Sequence, residues 1–432
     1  MKIKIKKVIP IVILFVLCGL CFSQEASDKI LRLTLKEAQD YAVMHNRNIL
    51  NAGLSVSEAQ KRTWEVISAG LPQVSATVTY QNMMGFKMEF AGMAIPMQPT
   101  SNFQATVTQL LFSASYWVGI KMSKRGEELT ETARLQAELD VKQQTQSAYY
   151  TVLVVQENMK ILEQNLHNIE KIAKSAEDLV RVGVAEQTDA DQLKVQVLTM
   201  INAIKSLERL VELAYNLLRF QLGLEIYTEI ELTQTLEDLT SAKNANEILV
   251  QDFVLNNNYT VQLLDGQIDL ANMEVSLERA AALPNVAAFY SYTYKIARST
   301  FDMSPNNVIG LQANIPIFAS GQRHVRAQQA KIRLETAHNN RELLSEGLLM
   351  QEKQLRFNLT SALESLELQK EAMTVSQRVF ESITRKFQHG TASSLDVTTA
   401  NTSLLQAQGN YINAIMEVFT AQTELEKLLN NF

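Results

Sequence analysis

Five methionines crowd one stretch, Met83, Met84, Met88, Met93 and Met97, and clustered thioethers are soft ligands suited to Cu(I). An apolar surface loop or lid explains the same residues without a metal. His45, His167, His324, His338 and His389 are scattered and share no ligand spacing, so no metal site is expected. Carboxylates draw attention at two short glycine turns, Val182-Gly183-Val184-Ala185-Glu186-Gln187-Thr188-Asp189 and His389-Gly390-Thr391-Ala392-Ser393-Ser394-Leu395-Asp396. In each the glycine stops a helix; Thr188 or Asp189 can cap the helix after the first, and Ser393 or Ser394 the helix after the second. A plain helix hairpin accounts for both turns. No G-x-x-x-x-G-K, G-x-S-x-G or H-E-x-x-H motif occurs, and no nucleophile, base and orienting group come together in a recognisable motif. An enzyme is therefore not expected, nor a cofactor.

The elements that must carry these turns are long. The 432 residues include 15 Gly and only 7 Pro, so punctuation is sparse and extended helices are expected. Hydrophobic residues at 46% and charged residues at 20% are globular values. A net charge of −6 leaves no basic surplus for phosphates, which excludes a nucleic-acid partner. Lys2, Lys4, Lys6 and Lys7 precede an apolar run from Val8 to Leu20, and Cys21-Phe22-Ser23 places small residues at −3 and −1 of a cut before Gln24. Residues 1–23 thus read as a secretory signal, with an uncleaved anchor or a lipoprotein as the alternatives. Loss of its four lysines takes the formal charge from −6 to −10. Cys18 and Cys21 both lie within it, so the mature chain has no thiol.

The chain is written twice. Leu71-Pro72-Gln73-Val74 recurs as Leu283-Pro284-Asn285-Val286, an offset of 212, and the first glycine turn recurs in the second at an offset of 207. Val155, Met159, Leu162, Leu166, Ile169 and Ala173 alternate spacings of four and three, a heptad seam. Adding 207 gives Ala362, Leu366, Gln369, Met373, Ser376 and Phe380, the same register with polar interruptions. Two runs without proline, 114–181 and 320–388, predict rods of about 100 Å, too long for a globular domain.

Four stretches alternate with period two: Val74, Ala76, Val78, Tyr80; Phe103, Ala105, Val107; Val286, Ala288, Tyr290, Tyr292, Tyr294; and Ile309, Leu311, Ala313, Ile315, Ile317. Each is long enough for a tilted membrane strand, and Tyr80, Tyr290, Tyr292 and Tyr294 suit an interfacial girdle. Every helical seam already has helical partners, so nothing remains to cover the sheet. Four strands cannot close a barrel; two copies would pool eight, and three copies twelve with room for a pore.

At this point the chain resembles the outer-membrane efflux protein (TolC) family. The resemblance spans the mature chain and rests on Leu33-Thr34-Leu35-Lys36-Glu37-Ala38, Ala69-Gly70-Leu71-Pro72-Gln73-Val74, its echo Ala281-Ala282-Leu283-Pro284-Asn285-Val286, and the two glycine turns. It implies a mainly α fold with a membrane β-barrel portion: a homotrimer whose 12-stranded barrel in outer-membrane lipid continues into an α-helical barrel across the periplasm of a Gram-negative bacterium. The implied function is a passive exit duct of a tripartite efflux system, working with a periplasmic adaptor (membrane fusion) protein and an inner-membrane pump of RND or ABC type. A type I protein secretion duct is the alternative within transport, and a periplasmic coiled-coil scaffold the alternative without a pore. The same resemblance places adaptor contacts at Gly183, Val184, Ala185, Gly390, Thr391, Ala392 and Ser393. It places a pore gate at Asp396, Asp189, Asp191 and Thr399. Asp396 matches the first aspartate of the family's D-V-x-D pattern, and Thr399 stands where the second would be.

The expected organisation is a first repeat over 24–240 and a second over 241–432. The first holds a helix at 34–69, strands at 72–80 and 103–112, a long helix at 114–181 and a helix at 188–222. The second holds a helix at 245–282, strands at 285–294 and 308–317, a long helix at 320–388 and a helix at 394–430.

Overall fold

The computed structural model describes residues 30–90, 92–239, 242–298 and 304–432. The secretory signal read over 1–23 lies outside the described residues.

Two rods dominate. Helix α3 (Ala114–Arg181, 68 residues) and helix α8 (Gln322–Gln388, 67 residues) each extend about 100 Å. Along α3 lie α2 (Arg47–Ser68) and α4 (Gln187–Leu222); along α8 lie α7 (Tyr259–Ala280) and α9 (Ser394–Leu428). The interior is a string of three apolar clusters. One, around Ile169, Leu193, Phe380 and Leu404, sits near the glycine turns. A second gathers around Val152, Tyr149, Leu218 and Phe419. The third gathers around Val261, Leu359 and Leu425. Tyr149 and Tyr150 lie deep in the second, where burial pushes the Tyr149 hydroxyl up to about 12 and the Tyr150 hydroxyl higher still.

The helix expected at 34–69 is two helices, α1 (Leu35–His45) and α2, broken at Asn46. Asn46 caps α2, its Oδ1 accepting from Asn48 N at 2.8 Å, and its Nδ2 donates to Gln221 O at 2.7 Å. The helix expected at 245–282 is likewise broken into α6 (Ala242–Val250), a 3-10 turn (Leu255–Asn257) and α7. Asn258 repeats the device: Oδ1 accepts from Thr260 N and Nδ2 donates to Leu428 O at 3.3 Å. Short strands β1 (Leu31–Leu33) and β6 (Ile230–Leu232) pair in parallel beside α1, joined by an Arg32–Glu231 ion pair of 2.8 Å; sequence reading did not anticipate them. A single-turn helix, α5 (Leu236–Leu239), follows β6.

The main sheet has the order β2-β5-β7-β8, with β2 at Gln73–Gln81, β5 at Thr100–Ser113, β7 at Asn285–Ala297 and β8 at Asn307–Asn314, every pair antiparallel. Strand β8 stops short of the expected 317 because Pro316 has no N–H to give the ladder. In place of a plain loop, the methionine stretch contains a hairpin of β3 (Lys87–Phe90) and β4 (Met93–Pro96).

The register aligns one face across all four strands. Ala76 pairs with Ala105, Ala105 with Tyr292, Val107 with Tyr290, and Tyr290 with Ile309, so the apolar residues form continuous rows. The opposite face carries Ser75, Thr77, Thr106, Ser291, Gln312 and similar groups, laced by Gln104 Nε2 to Ser291 Oγ at 2.7 Å. Among the described residues no helix covers the apolar face: Tyr80 is 69% exposed, Leu311 72% and Ile309 83%. Neither β2 nor β8 has an outer neighbour among the described residues, so both sheet edges are open.

Two motifs gain a physical account here. Thr34 caps α1 in a reciprocal box with Glu37, whose carboxylate accepts from Thr34 N at 2.8 Å and is held below the usual carboxylate range by that bond and by the Thr34 hydroxyl. Gly70 marks the helix-to-strand junction, where a Cβ would lie 2.3 Å from the Tyr116 ring. The Tyr116 hydroxyl donates to Ile67 O at 2.8 Å and fixes that approach.

Candidate functional site

The helical tips are built by matched local rules. After α3, Gly183 takes φ +77°, Gly183 N donates to Val180 O and Val184 N to Leu179 O, a Schellman stop. After α8, Gly390 takes φ +69°, with Gly390 N to Phe387 O and Thr391 N to Lys386 O. Helix α9 is then capped by Ser393: its N and Oγ donate to Asp396 Oδ2 at 2.9 and 2.8 Å, and Asp396 N donates back to Ser393 Oγ at 3.1 Å. These bonds hold the exposed Asp396 carboxyl below its ordinary value, the backbone bond from Ser393 most of all and the hydroxyl next. Helix α4 starts one residue before the expected 188, and its cap is Glu186 in place of Thr188 or Asp189. Glu186 N donates to Asp189 Oδ2 at 3.4 Å, so Asp189 and Asp396 occupy equivalent third positions of their helices.

The proposed gate residues do not meet one another within a chain. Asp396 is engaged with Ser393, Asp191 accepts from Gln187 Nε2 at 3.0 Å, and Thr399 Oγ1 donates to Leu395 O at 2.8 Å. What joins the two tips is Ser394. The residue is 2% exposed, and its hydroxyl donates to Asp189 Oδ1 and contacts Gln192 Oε1 at 3.0 Å. Gln196 Nε2 adds a bond to Thr402 Oγ1 at 3.3 Å. Sequence reading treated Ser394 only as a possible cap, and Gln192 not at all; neither has a local signal for a partner some 200 residues away. Asn46 and Asn258 were also missed, although they stand 212 residues apart, the offset of the strand motifs. Among the adaptor-contact candidates, Gly183, Val184, Gly390 and Thr391 are exposed, while Ala392 packs partly against the tip cluster.

The tyrosines expected at a girdle share one face of the sheet. Tyr290, Tyr292 and Tyr294 line the apolar face of β7, and Tyr80 ends the same face of β2. The methionines spread out: Met84 is 91% exposed, and in the hairpin Met88 pairs with Ile95 and Met93 with Phe90. His45 stacks on Tyr41 and hydrogen-bonds Tyr41 O, and His324 bonds Gln328. Among the described residues no three His, Cys, Asp or Glu side chains gather as a metal site, and no helix is long and apolar enough to cross a membrane.

A sequence profile described as "Outer membrane efflux protein" matches residues 40–224 and 251–431, most of both repeats. The chain belongs to the outer membrane efflux protein family. The chain is 20% identical over 389 residues to outer membrane protein TolC of Vibrio cholerae, covering 87% of this chain and 86% of the relative. It is 23% identical over 312 residues to cobalt-zinc-cadmium resistance protein CzcC of Cupriavidus metallidurans, covering 72% of each. Among solved structures, VceC of Vibrio cholerae superposes with a TM-score of 0.75 at 16% identity over 91% of this chain and 95% of its own. The Campylobacter jejuni CmeC outer membrane channel gives 0.75 at 16% identity over 92% and 85%. The likeness fixes the fold of this chain as a helical barrel portion with a β portion, and its family membership fixes the outer membrane as its location.

Proposed function

We propose that three copies of the chain form a passive exit duct through the outer membrane, the last stage of a tripartite efflux system. The observation that carries this is the sheet: four strands with two edges unpaired and an apolar face uncovered among the described residues. Open edges pair with further strands and an uncovered apolar face turns toward lipid, so pooled strands close a barrel. Three chains supply twelve strands and leave a lumen that two chains would fill with side chains. The polar face then lines the lumen, and Tyr80, Tyr290, Tyr292 and Tyr294 lie at the lipid boundary.

The rods continue the wall into the periplasm. Exposed apolar residues on the rods and their companions, such as Phe357 on α8 and Leu213 and Phe220 on α4, become contacts between copies. At the far end Asp189, Asp191 and Asp396, with Thr399 beside them, form the gate; in triplicate they set a negative potential in a narrow throat. Gly183, Val184, Ala185, Gly390, Thr391, Ala392 and Ser393 present the tips to a periplasmic adaptor, and an inner-membrane pump of RND or ABC type supplies the energy. The reading is tested by purifying the mature chain in detergent, cross-linking it and adding it to planar bilayers. Trimers that give discrete conductance steps support it; a water-soluble monomer without conductance refutes it.

A further inference from the structure

In the half of the chain nearest the tips, the helices stand in a row. Helix α4 packs on α3, α3 on α9 and α9 on α8, which leaves α4 and α8 at the two margins. Each marginal helix is apolar on two opposite sides. On α4, Ile204, Ala214 and Leu218 are buried, while Leu210, Leu213, Leu217 and Phe220 alternate spacings of three and four along the other side, all exposed. On α8, Leu355, Leu359 and Ala362 are buried, while Phe357, Leu368 and Val375 step by eleven and seven along the other side, all exposed. A helix with two apolar sides is built to have a neighbour on each.

The two exposed stripes match in height. The Ser394–Asp189 bond sets both turns at one level, so height is counted along each helix from its tip. Leu217 is 30 residues along α4 from Gln187, and Phe357 is 31 residues along α8 from Gln388, both about 45 Å up. Leu213, at 26 residues, is level with Ser361, at 27. Ser361 is a small, exposed side chain in the groove between α8 and α9, which Phe357, Ser365, Met416 and Thr420 also line. Charge matches too. Arg209, at 22 residues, flanks the α4 stripe and bonds Ser206 Oγ at 3.0 Å. Glu364, at 24 residues, lies in the α8 stripe, and Glu417 rims the groove; all three are exposed. Nearby charges reinforce the match: Lys205 on α4, Glu367 and Glu371 on α8. Glu212 is held by Arg219 at 2.8 Å. Glu208 and Lys370 lie about 140° round their helices from Leu213 and Phe357.

We infer that α4 of one copy docks against α8 of the next, with Leu213 seated over Ser361 between Phe357 and Leu368 and with Arg209 across from Glu364. The inference rests on the three-copy duct proposed above and names the surfaces that close it. Two unlike margins make a head-to-tail contact, and rotation about an axis along the rods keeps every residue at its own level while the ring closes. The apolar stripes hold the seam; an exposed ion pair adds little affinity and serves to fix the level.

Residues 24–432 contain no cysteine, so an introduced pair reports on itself. Leu217→Cys with Phe357→Cys, and Leu213→Cys with Ser361→Cys, are expected to give disulfide-linked trimers on non-reducing gels. Leu217→Cys with Val379→Cys, about 30 Å out of level, is expected to give at least tenfold less. Arg209→Glu is expected to raise the monomer fraction in mild detergent several-fold, and Glu364→Arg added to it to restore the trimer. Each variant is read in protein that conducts in planar bilayers. The inference is overturned, and the duct left intact, if neither level pair links, if links form only within a chain, or if Arg209→Glu leaves the monomer fraction unchanged. Unmodified protein with neither trimers nor conductance overturns both.

Discussion

Ser394→Ala removes the joint between the two tips of a chain. Ser394 is 2% exposed, and its hydroxyl donates to Asp189 Oδ1 and lies against Gln192 Oε1, both on α4. A hydrogen bond to an ionised group contributes about 1.5–3 kcal/mol net. Asp189 is half-buried, so water takes over part of its solvation once the hydroxyl is gone, and the lower figure applies. A loss of about 1.5 kcal/mol shifts the balance between docked and parted tips roughly tenfold per chain. Hydrogen–deuterium exchange reads this at amides 397–402, expected to exchange about tenfold faster while amides around Val152 do not change. Single-channel recordings of the same variant are expected to show more frequent openings. Asp189→Ala removes the other half of the joint, so the double variant should cost little more than either single one. Fully additive effects, or unchanged exchange and gating in Ser394→Ala, would refute the coupling.

Gly183→Ala and Gly390→Ala place a Cβ on a left-handed residue with open space around it, so the cost is backbone strain alone, about 1–2 kcal/mol each. Trypsin cleavage after Arg181 and Lys386 is expected to quicken, and less so for asparagine at the same positions. Replacing Tyr290, Tyr292 and Tyr294 together by serine should strip the girdle and lower recovery of the protein in the outer-membrane fraction, whereas Thr293→Ala on the opposite face should not. The Asp396 cap is pH-dependent. Its folded value lies below the ordinary 3.8, so its contribution is complete above 3.8 and disappears as pH falls through the lowered value. Amides at the start of α9 are therefore expected to lose protection below about pH 4, and Asp396→Asn to remove that pH dependence.

Periodicity made much of the architecture readable. The heptad seam between Val155 and Ala173 has physical consequences over many turns, because its successive steps pack side chains against neighbouring helices. The alternation from Val74 to Tyr80 is equally plain, since a shift by one residue would move every apolar group to the other face. What stayed hidden depends on partners distant in sequence. Asn46 breaks a strongly helical stretch because its amide reaches Gln221 O, and nothing near Asn46 announces that acceptor. The repeat did hold the clue, since Asn258 makes the matching bond to Leu428 O. At the tips, sequence reading placed the turns but not the wiring. It treated Asp189 and Asp396 alike, yet Asp396 is tied to its own cap and Asp189 to the other repeat through Ser394.

Rods α3 and α8 differ in length by a single residue, and so do their companions α4 and α9. That match constrains how the reach of such a protein changes over evolution. Seven extra residues lengthen a helix by about 10 Å and return its seam to phase. Added to one rod alone, they would leave the two turns staggered and separate Ser394 from Asp189. A longer or shorter reach therefore requires whole heptads entering or leaving all four helices together, so span is inherited in coarse, coordinated steps.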